Sequence, residues 1–529
     1  MPRVLLSSVF KPFGIDNLYS RKDSFPEVYH NRLTRPQGIF SYRTHFNVFG
    51  LHVIANNISA PSVVLDYPTL DGFIAEVKKG YDYVGIGSVV PNFQKVKLMA
   101  EAVRKYAPKS KIVIGGYCAH IDDIRELVPL DYLCIGDGIT FMRELLGDAP
   151  EYRYQNPYIS THGYSFLGVP LFGQKSPQII TGMGCPYGCE FCAPSYHFSR
   201  KYKRLYQHGE ELFREMERLE KRFRSRAFGF HGDENFLLSL DRADELRECV
   251  VKSGKQYEIF HFGSADKARE FGPERMAEMG TNILWIGRES GLVSFPKTQG
   301  IDLKALVEDC HRHGIKIVIS TMLLMDHHTP ENIWEDIEEH ISLKPDFSMF
   351  TFYIPLPGTP LYERFKEEDR ILQGFAYEDW NGVGTPYTRH PHFTPAQGRE
   401  LRERILELEY HRLGPSAMRL IRTDLEGYLF MKDSENPNLR RRAQYLAKKM
   451  PRYRALLWAM ERLAPTPEMR DMIQEVRAQV ERAFGPLTSF EKTQALGLYA
   501  FGTKEKLKYK WLGDVIQPPT IVTVYPGRS

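Results

Sequence analysis

Three cysteines crowd one short stretch, Gly182-Met183-Gly184-Cys185-Pro186-Tyr187-Gly188-Cys189-Glu190-Phe191-Cys192, directly after the apolar pair Ile179-Ile180. Their spacing is C-x3-C-x2-C. Thiolates are soft ligands that suit zinc or iron–sulfur clusters. Three of them would hold three irons of a [4Fe–4S] cluster and leave the fourth iron open to a substrate or cofactor. The competing chemistry is a structural zinc site with His197 as fourth ligand. The glycines let the backbone fold tightly around a bound object. The other cysteines, Cys118, Cys134, Cys249 and Cys310, are scattered. They form no disulfide framework, fit a reducing compartment and argue against a second cysteine-ligated cluster.

With Phe191 just before the last cysteine, the spacing resembles the signature loop of the radical S-adenosylmethionine (SAM) enzymes. The resemblance implies that the open iron is chelated by the amino and carboxylate groups of SAM. An electron from the cluster would then cleave SAM to a 5'-deoxyadenosyl radical, which abstracts hydrogen from an unactivated position.

The elements that must position this loop alternate in type. From Gln178 the pattern reads as six βα units. The strands are Gln178–Thr181, Ala227–His231, Tyr257–Phe262, Asn282–Gly287, Lys316–Leu324 and Phe347–Ile354. Six units in one run predict a partial parallel barrel with ligands at the C-terminal strand ends. Asp233, Glu234, Ser264, Asp266, Arg288, Glu289, Ser290 and Ser320 stand at those ends, on the edge that carries the cysteine loop. A purely structural zinc site does not need such an edge. By resemblance, Gly232-Asp233-Glu234 matches the acidic motif that contacts the SAM amino group, with Asp in place of the usual middle glycine. That departure leaves open which carboxylate makes the contact. Glu289-Ser290 resembles the pair near the SAM ribose and carboxylate. Pro357-Gly358-Thr359-Pro360-Leu361-Tyr362 resembles the rigid turn beside the adenine. Arg288 suits either a carboxylate of SAM or substrate, or a structural ion pair.

Residues 1–150 also alternate strand and helix, with strand signals at Val4–Val9, Leu51–Ala55, Ser62–Leu65, Tyr83–Gly87, Lys111–Gly116 and Tyr132–Ile135. A long aromatic excursion between 11 and 49 contains His30 and His45, and long connections tend to be functional or disordered. Gly87-Ser88, Gly115-Gly116 and Gly136-Asp137-Gly138 end strands, where parallel sheets bind ligands. This segment resembles the cobalamin-binding domain found N-terminal to many radical SAM barrels, whose strand-end glycines let the cobalamin tail approach the backbone. The Asp-x-His-x-x-Gly motif that supplies an axial histidine elsewhere is absent. His120 and His52 are the histidines left as candidate ligands.

Residues 151–176 read as a linker, 177–362 as the barrel and 363–529 as a mainly helical C-terminal domain with a β-forming tail from 509 to 526. The fold class is α/β: a Rossmann-like parallel sheet, a partial (β/α)6 barrel and a helical domain. Arg440-Arg441-Arg442, Lys448-Lys449, Arg452, Arg454 and Arg462, interleaved with Leu456, Leu457, Trp458 and Met460, suggest a basic amphipathic face for an anionic membrane or substrate, or a solvated surface. A net charge of +4 over 529 residues gives no reason to expect nucleic-acid binding. The N-terminal apolar run is too short for a signal peptide or membrane span, so a cytoplasmic protein is expected.

The resemblance implies three cofactors: a [4Fe–4S] cluster, SAM and cobalamin. It also implies methyl transfer to an unactivated carbon, with one SAM renewing the methyl group and a second cleaved at the cluster. Radical ring formation, carbon–carbon coupling or oxidation is the alternative within the family, and a zinc-stabilised binding module the alternative outside it. Expected partners are a small-molecule or lipid substrate and an electron donor such as flavodoxin or ferredoxin. Tyr353 and the remaining cysteines are candidates for quenching the final radical.

Overall fold

The computed structural model describes residues 1–22, 35–41, 47–161, 165–166, 169–170, 175–512 and 517–527. His30 and His45 lie outside the described residues.

Short apolar runs form a first parallel sheet from β1 (Val4–Ser7), β2 (Ser62–Asp66), β3 (Tyr83–Gly87), β4 (Lys111–Gly115) and β5 (Tyr132–Cys134). The spatial order is β2-β1-β3-β4-β5. Their near-continuous burial is what a sheet covered on both faces requires. The segment Leu51–Ala55, expected as a strand, is instead part of the helix Phe49–Ala55. A short apolar run cannot be assigned to strand or helix by periodicity alone.

A small hairpin, β6 (Ser165–Phe166) with β7 (Val169–Pro170), lies in the linker. The cysteine segment begins with β8 (Gly182–Met183), which pairs antiparallel with β9 (Lys203–Arg204). The second sheet is parallel and runs in chain order: β10 (Ala227–Phe230), β11 (Glu258–Gly263), β12 (Thr281–Glu289), β13 (Lys316–Leu323) and β14 (Phe347–Phe352). Five strands stand where six were expected. The first is reduced to a bridge from Gln178 to Gly229, with the Ile179 amide donating to the Gly229 carbonyl at 2.9 Å. The chain leaves the ladder at Thr181, whose hydroxyl donates to Asp233 at 2.7 Å and whose carbonyl accepts from Arg242 at 2.8 Å.

Six helices follow: Pro395–Leu413, Ser416–Met431, Pro437–Ala447, Met450–Leu463, Pro467–Phe484 and Ser489–Leu512. Thr394, Asn436 and Thr466 cap three of them, each before a proline that cannot donate and costs the first turn nothing. The basic residues expected as one face between 440 and 462 divide: Arg440, Lys448, Arg452 and Arg462 are exposed, while three others turn inward. Arg442 is buried and donates to the carbonyls of Tyr257 and Thr281, Arg454 to those of Phe484 and Gly485, and Lys449 pairs with Glu258. Leu456, Leu457 and Met460 lie in the core. The two arginines satisfy strand-end and helix-end carbonyls and the lysine a carboxylate, uses that charge patterning cannot distinguish from surface display.

The tail does not stay with the helices. β15 (Ile521–Tyr525) pairs antiparallel with β2 and becomes the edge of the first sheet. One apolar core joins Leu5, Val84 and Ile114 of that sheet to Leu323, Phe350 and Ile354 of the barrel and to Ile405 and Leu413 of the helical region.

Candidate functional site

The cysteine loop is held from within and from both sides. Gly184 has φ +80°, and a Cβ there would lie 2.2 Å from the Lys201 carbonyl, so only glycine closes the turn. The Ser195 hydroxyl donates to the Cys185 carbonyl at 2.7 Å and accepts from the Gly188 amide at 3.1 Å. Tyr187 donates to Asp266 at 2.6 Å and lies 3.3 Å from Ser264, which ties the loop to the end of β11. The three thiols are free and half-buried. Burial pushes each of them up, Cys192 to about 12, while the Lys297 ammonium acts in the opposite direction on all three.

Among the described residues, no three His, Cys, Asp or Glu side chains form a group able to hold a metal ion. A four-iron cluster asks for something wider, one thiolate to each of three separate irons. Free thiols on one tightly wound loop, with a cation beside them, fit that demand. His197 is committed elsewhere and does not complete a zinc tetrad.

Asp233 and Glu234 have separate fates. Asp233 is fully buried and accepts from Thr181, from Tyr202 at 2.7 Å, from Arg242 at 3.3 Å and from the Asn235 amide at 3.2 Å. Glu234 accepts from the Gly184 amide at 2.9 Å. Burial and the neighbouring Asp233 charge push its carboxyl up to about 8. Among the described residues no ion pair engages Glu234, whereas Asp233 is paired with Arg242.

Glu289 has φ +65° and pairs with Lys297, whose ammonium lies 5.9 Å from the centre of the Phe191 ring. Phe191 itself packs between Phe295 and Tyr353. Ser290 is not brought to the cysteines. Its hydroxyl donates to Asp336 at 2.8 Å, and Arg288 donates to the same carboxylate at 2.6 Å. Of the two uses open to Arg288, the structure displays the ion pair. Lys297 carries no sequence signal, because its partner lies across a loop rather than at a helical or strand spacing.

On the other side stands the first sheet. Its order 2-1-3-4-5 reverses between β1 and β3, the kind of switch point where open α/β sheets bind ligands. Gly87-Ser88 lies at this crevice. Gly116, with φ +77°, packs on the Ser88 carbonyl, where a Cβ would stand at 2.3 Å. Gly115 backs onto Cys134, so these two glycines serve the close packing of the edge itself. Gly136 points toward the barrel: its amide donates to His197 Nε2 at 3.2 Å. That bond makes Nε2 an acceptor and leaves the proton on Nδ1, which faces His120 Nε2 at 2.9 Å. Burial, together with the His120 charge, lowers His197 to about 4, and burial lowers His120 too, so this link is neutral. Tyr117, between the Gly116 turn and His120, stacks edge-on to His197 at 5.1 Å and lies in the field of Glu234 and Cys192. The C-terminal strand edges of the two sheets therefore face each other across this contact.

The turn at Gly358 joins the same contact, since a Cβ there would meet His120 Nδ1 at 2.4 Å. Tyr362 and Lys366, just beyond, both donate to Asp122. His52 is not available as a ligand, because its nitrogens bind Tyr525 at 2.8 Å and Asp66 at 2.7 Å. Tyr353 donates to Glu190 within the cysteine loop, and Cys118, Cys134 and Cys310 are buried away from it. One further set escaped the sequence reading: Phe260 and Phe262 of β11, Trp285 of β12 and His231 share the inner face of the sheet, with His231 stacked on Phe260 at 4.2 Å. The alternation Phe260-His261-Phe262 was the available signal.

No protein-family profile matches the chain. Among curated proteins it is 24% identical over 368 residues to an uncharacterised methyltransferase of Pyrococcus horikoshii, covering 61% of this chain and 78% of that one. It is 25% identical over 251 residues to the bacteriochlorophyllide d C-12(1)-methyltransferase of Chlorobaculum tepidum, covering 45% and 51%. Among solved structures it resembles the radical SAM methyltransferase TsrM of Kitasatospora setae with cobalamin and a [4Fe–4S] cluster bound. The TM-score is 0.55 at 14% identity, over 85% of this chain and 99% of that one. The same enzyme with tryptophan and a SAM analogue gives 0.55 at 15% identity. With the facing edges, this likeness identifies the fold: an N-terminal Rossmann-like parallel sheet joined to a partial parallel barrel and a helical region, as in that methyltransferase.

Proposed function

We propose that the chain is a cobalamin-dependent radical SAM enzyme that methylates an unactivated carbon of a hydrophobic substrate. The observation that carries this reading is the opposition of the two sheet edges across the His120–His197 bond, with Tyr117 beside Cys192 and Glu234. Such opposition suits a reaction in which two cofactors meet one substrate, because holding the partners in place removes most of the entropic barrier. When bound, the cluster with SAM supplies a hydrogen-abstracting radical and cobalamin supplies a methyl group.

In this reading Cys185, Cys189 and Cys192 hold the cluster and Glu234 receives the SAM ammonium. Lys297 pairs with Glu289 beside them, while Phe191 and Tyr353 close the loop against water. The edge from Ser88 to Gly116 and Gly136 faces the cobalamin. Both curated relatives are by name methyltransferases, and one is by name a bacteriochlorophyllide methyltransferase, which accords with an apolar substrate. The aromatic inner face formed by Phe260, Phe262 and Trp285 supports the same substrate class.

The test is anaerobic reconstitution with iron, sulfide and hydroxocobalamin, followed by metal counts and product analysis. About four irons and one cobalt per chain are expected, with the iron lost on replacing any of the three cysteines by alanine. S-Adenosylhomocysteine should accompany 5'-deoxyadenosine. Iron without cobalt, or 5'-deoxyadenosine alone, would overturn methyl transfer.

A further inference from the structure

The helix Ser489–Leu512 is the longest among the described residues at 24 residues, about 36 Å at the α-helical rise. Its start is fixed by a reciprocal cap: the Thr488 amide donates to Glu491, and the Glu491 amide to Thr488 Oγ1. Only a narrow stripe faces the protein. Glu491, Ala495, Leu498 and Gly502 recur at helical spacing on the side that meets the helix Met450–Leu463 and the core around Leu457. Glu491 is neutralised there by Arg454 at 2.6 Å.

The opposite side carries four large exposed apolar side chains. Phe490, Leu496, Leu507 and Trp511 are 72%, 57%, 55% and 79% exposed, far beyond what a chance surface residue of each type needs. On the helical wheel they fall on one arc, away from the buried stripe. The same helix displays Lys492, Lys504, Lys506, Lys508 and Lys510, all exposed, against the single half-buried acid Glu505. At the rim, Tyr499 meets Trp458 at 6.4 Å, and Arg462 lies 3.5 Å over that indole.

We infer that this face docks the protein on an anionic lipid surface. Lys504 and Lys508 share the arc of the apolar anchors, and their stems can lie along hydrocarbon with the ammonium raised to phosphate, while Lys492, Lys506, Lys510 and the rim aromatics border it, which matches an anionic lipid interface. A second copy of the chain is the poorer occupant, since a twofold pairing would bring lysine against lysine with no exposed acid to meet it. The helix lies on the surface rather than across it: no helix among the described residues is long and apolar enough to span a membrane. The inference stands apart from the methyl-transfer reading, because none of these residues belongs to the cysteine loop or the sheet edges.

The test is sedimentation of the full chain with vesicles. Binding is expected to vesicles of phosphatidylcholine and phosphatidylglycerol in equal parts, at least tenfold tighter than to phosphatidylcholine alone, and weakened by 0.5 M salt. The variant Leu507→Glu/Trp511→Glu, changed only at exposed positions, should lose at least tenfold in binding, with circular dichroism unchanged. Lys504→Glu/Lys508→Glu should lose the preference for the anionic lipid. Equal binding to both vesicles, or wild-type binding by both variants, overturns the assignment. So does a dimer in light scattering that the first variant converts to monomer without any vesicle binding.

Discussion

Asp233 and Glu234 are adjacent acids with opposite surroundings, and two substitutions separate their roles. Asp233→Asn removes the charge that Arg242 neutralises in a fully buried site, so a loss of about 3–5 kcal/mol in unfolding free energy is expected. Glu234→Gln leaves that network intact and deletes the carboxylate nearest the cysteine loop. It should leave thermal unfolding close to wild type and weaken SAM binding by roughly 1.5–3 kcal/mol, the value of a hydrogen bond to a charged group. Equilibrium dialysis on reconstituted protein reads the second effect, and a melting curve the first. The Gly232-Asp233-Glu234 motif was legible in the sequence, but its division of labour was not. Asp233 is claimed by Thr181, Tyr202 and Arg242, which come from three other segments, and no local spacing announces them.

Strand β12 and the helix Asn332–Ser342 meet through Asp336. It holds Arg288, Ser290, His328 and the Gly291 amide at once. Burial pushes this carboxyl up, yet the His328 bond and the Arg288 charge outweigh it and hold it well below the usual carboxylate range. A depressed folded-state pKa contributes stability above the unfolded value of about 3.9 and forfeits it as pH falls toward the folded value. Wild-type protein should therefore lose stability below about pH 4. Asp336→Asn should be destabilised by about 3–5 kcal/mol at pH 7 and show a shallower acid transition in urea titrations. At this scale the sequence revealed the βα alternation and the strand-end polar residues, because those obey local rules. It misassigned Leu51–Ala55, and within the basic run 440–462 it could not tell the inward Arg442, Lys449 and Arg454 from the exposed Arg440, Lys448, Arg452 and Arg462. The helix Phe49–Ala55 is set by tertiary packing, and Arg442 and Arg454 are set by carbonyls far along the chain.

Across the whole molecule, the first sheet is closed by the last described strand. Thr520 donates to Tyr67 at 2.8 Å across a separation of 453 positions, and Tyr525 reaches His52 within the same edge. Removing residues 517–529 should leave the iron content of reconstituted protein intact while cobalt retention falls severalfold, as measured by metal analysis. Tyr525→Phe, which keeps the strand and deletes one hydroxyl bond, should cost about 1 kcal/mol.

This closure also sets a timetable. At ~5–20 residues per second, a ribosome needs on the order of half a minute or more after making β2 before it delivers β15. During that interval β2 presents an open backbone edge, the feature most prone to pairing with a neighbouring chain. The barrel's five strands are consecutive and can assemble as they emerge. Newly made chains should thus bear a finished cysteine loop before they bear a finished first sheet, and crowding of nascent chains on one messenger would be most hazardous at β2.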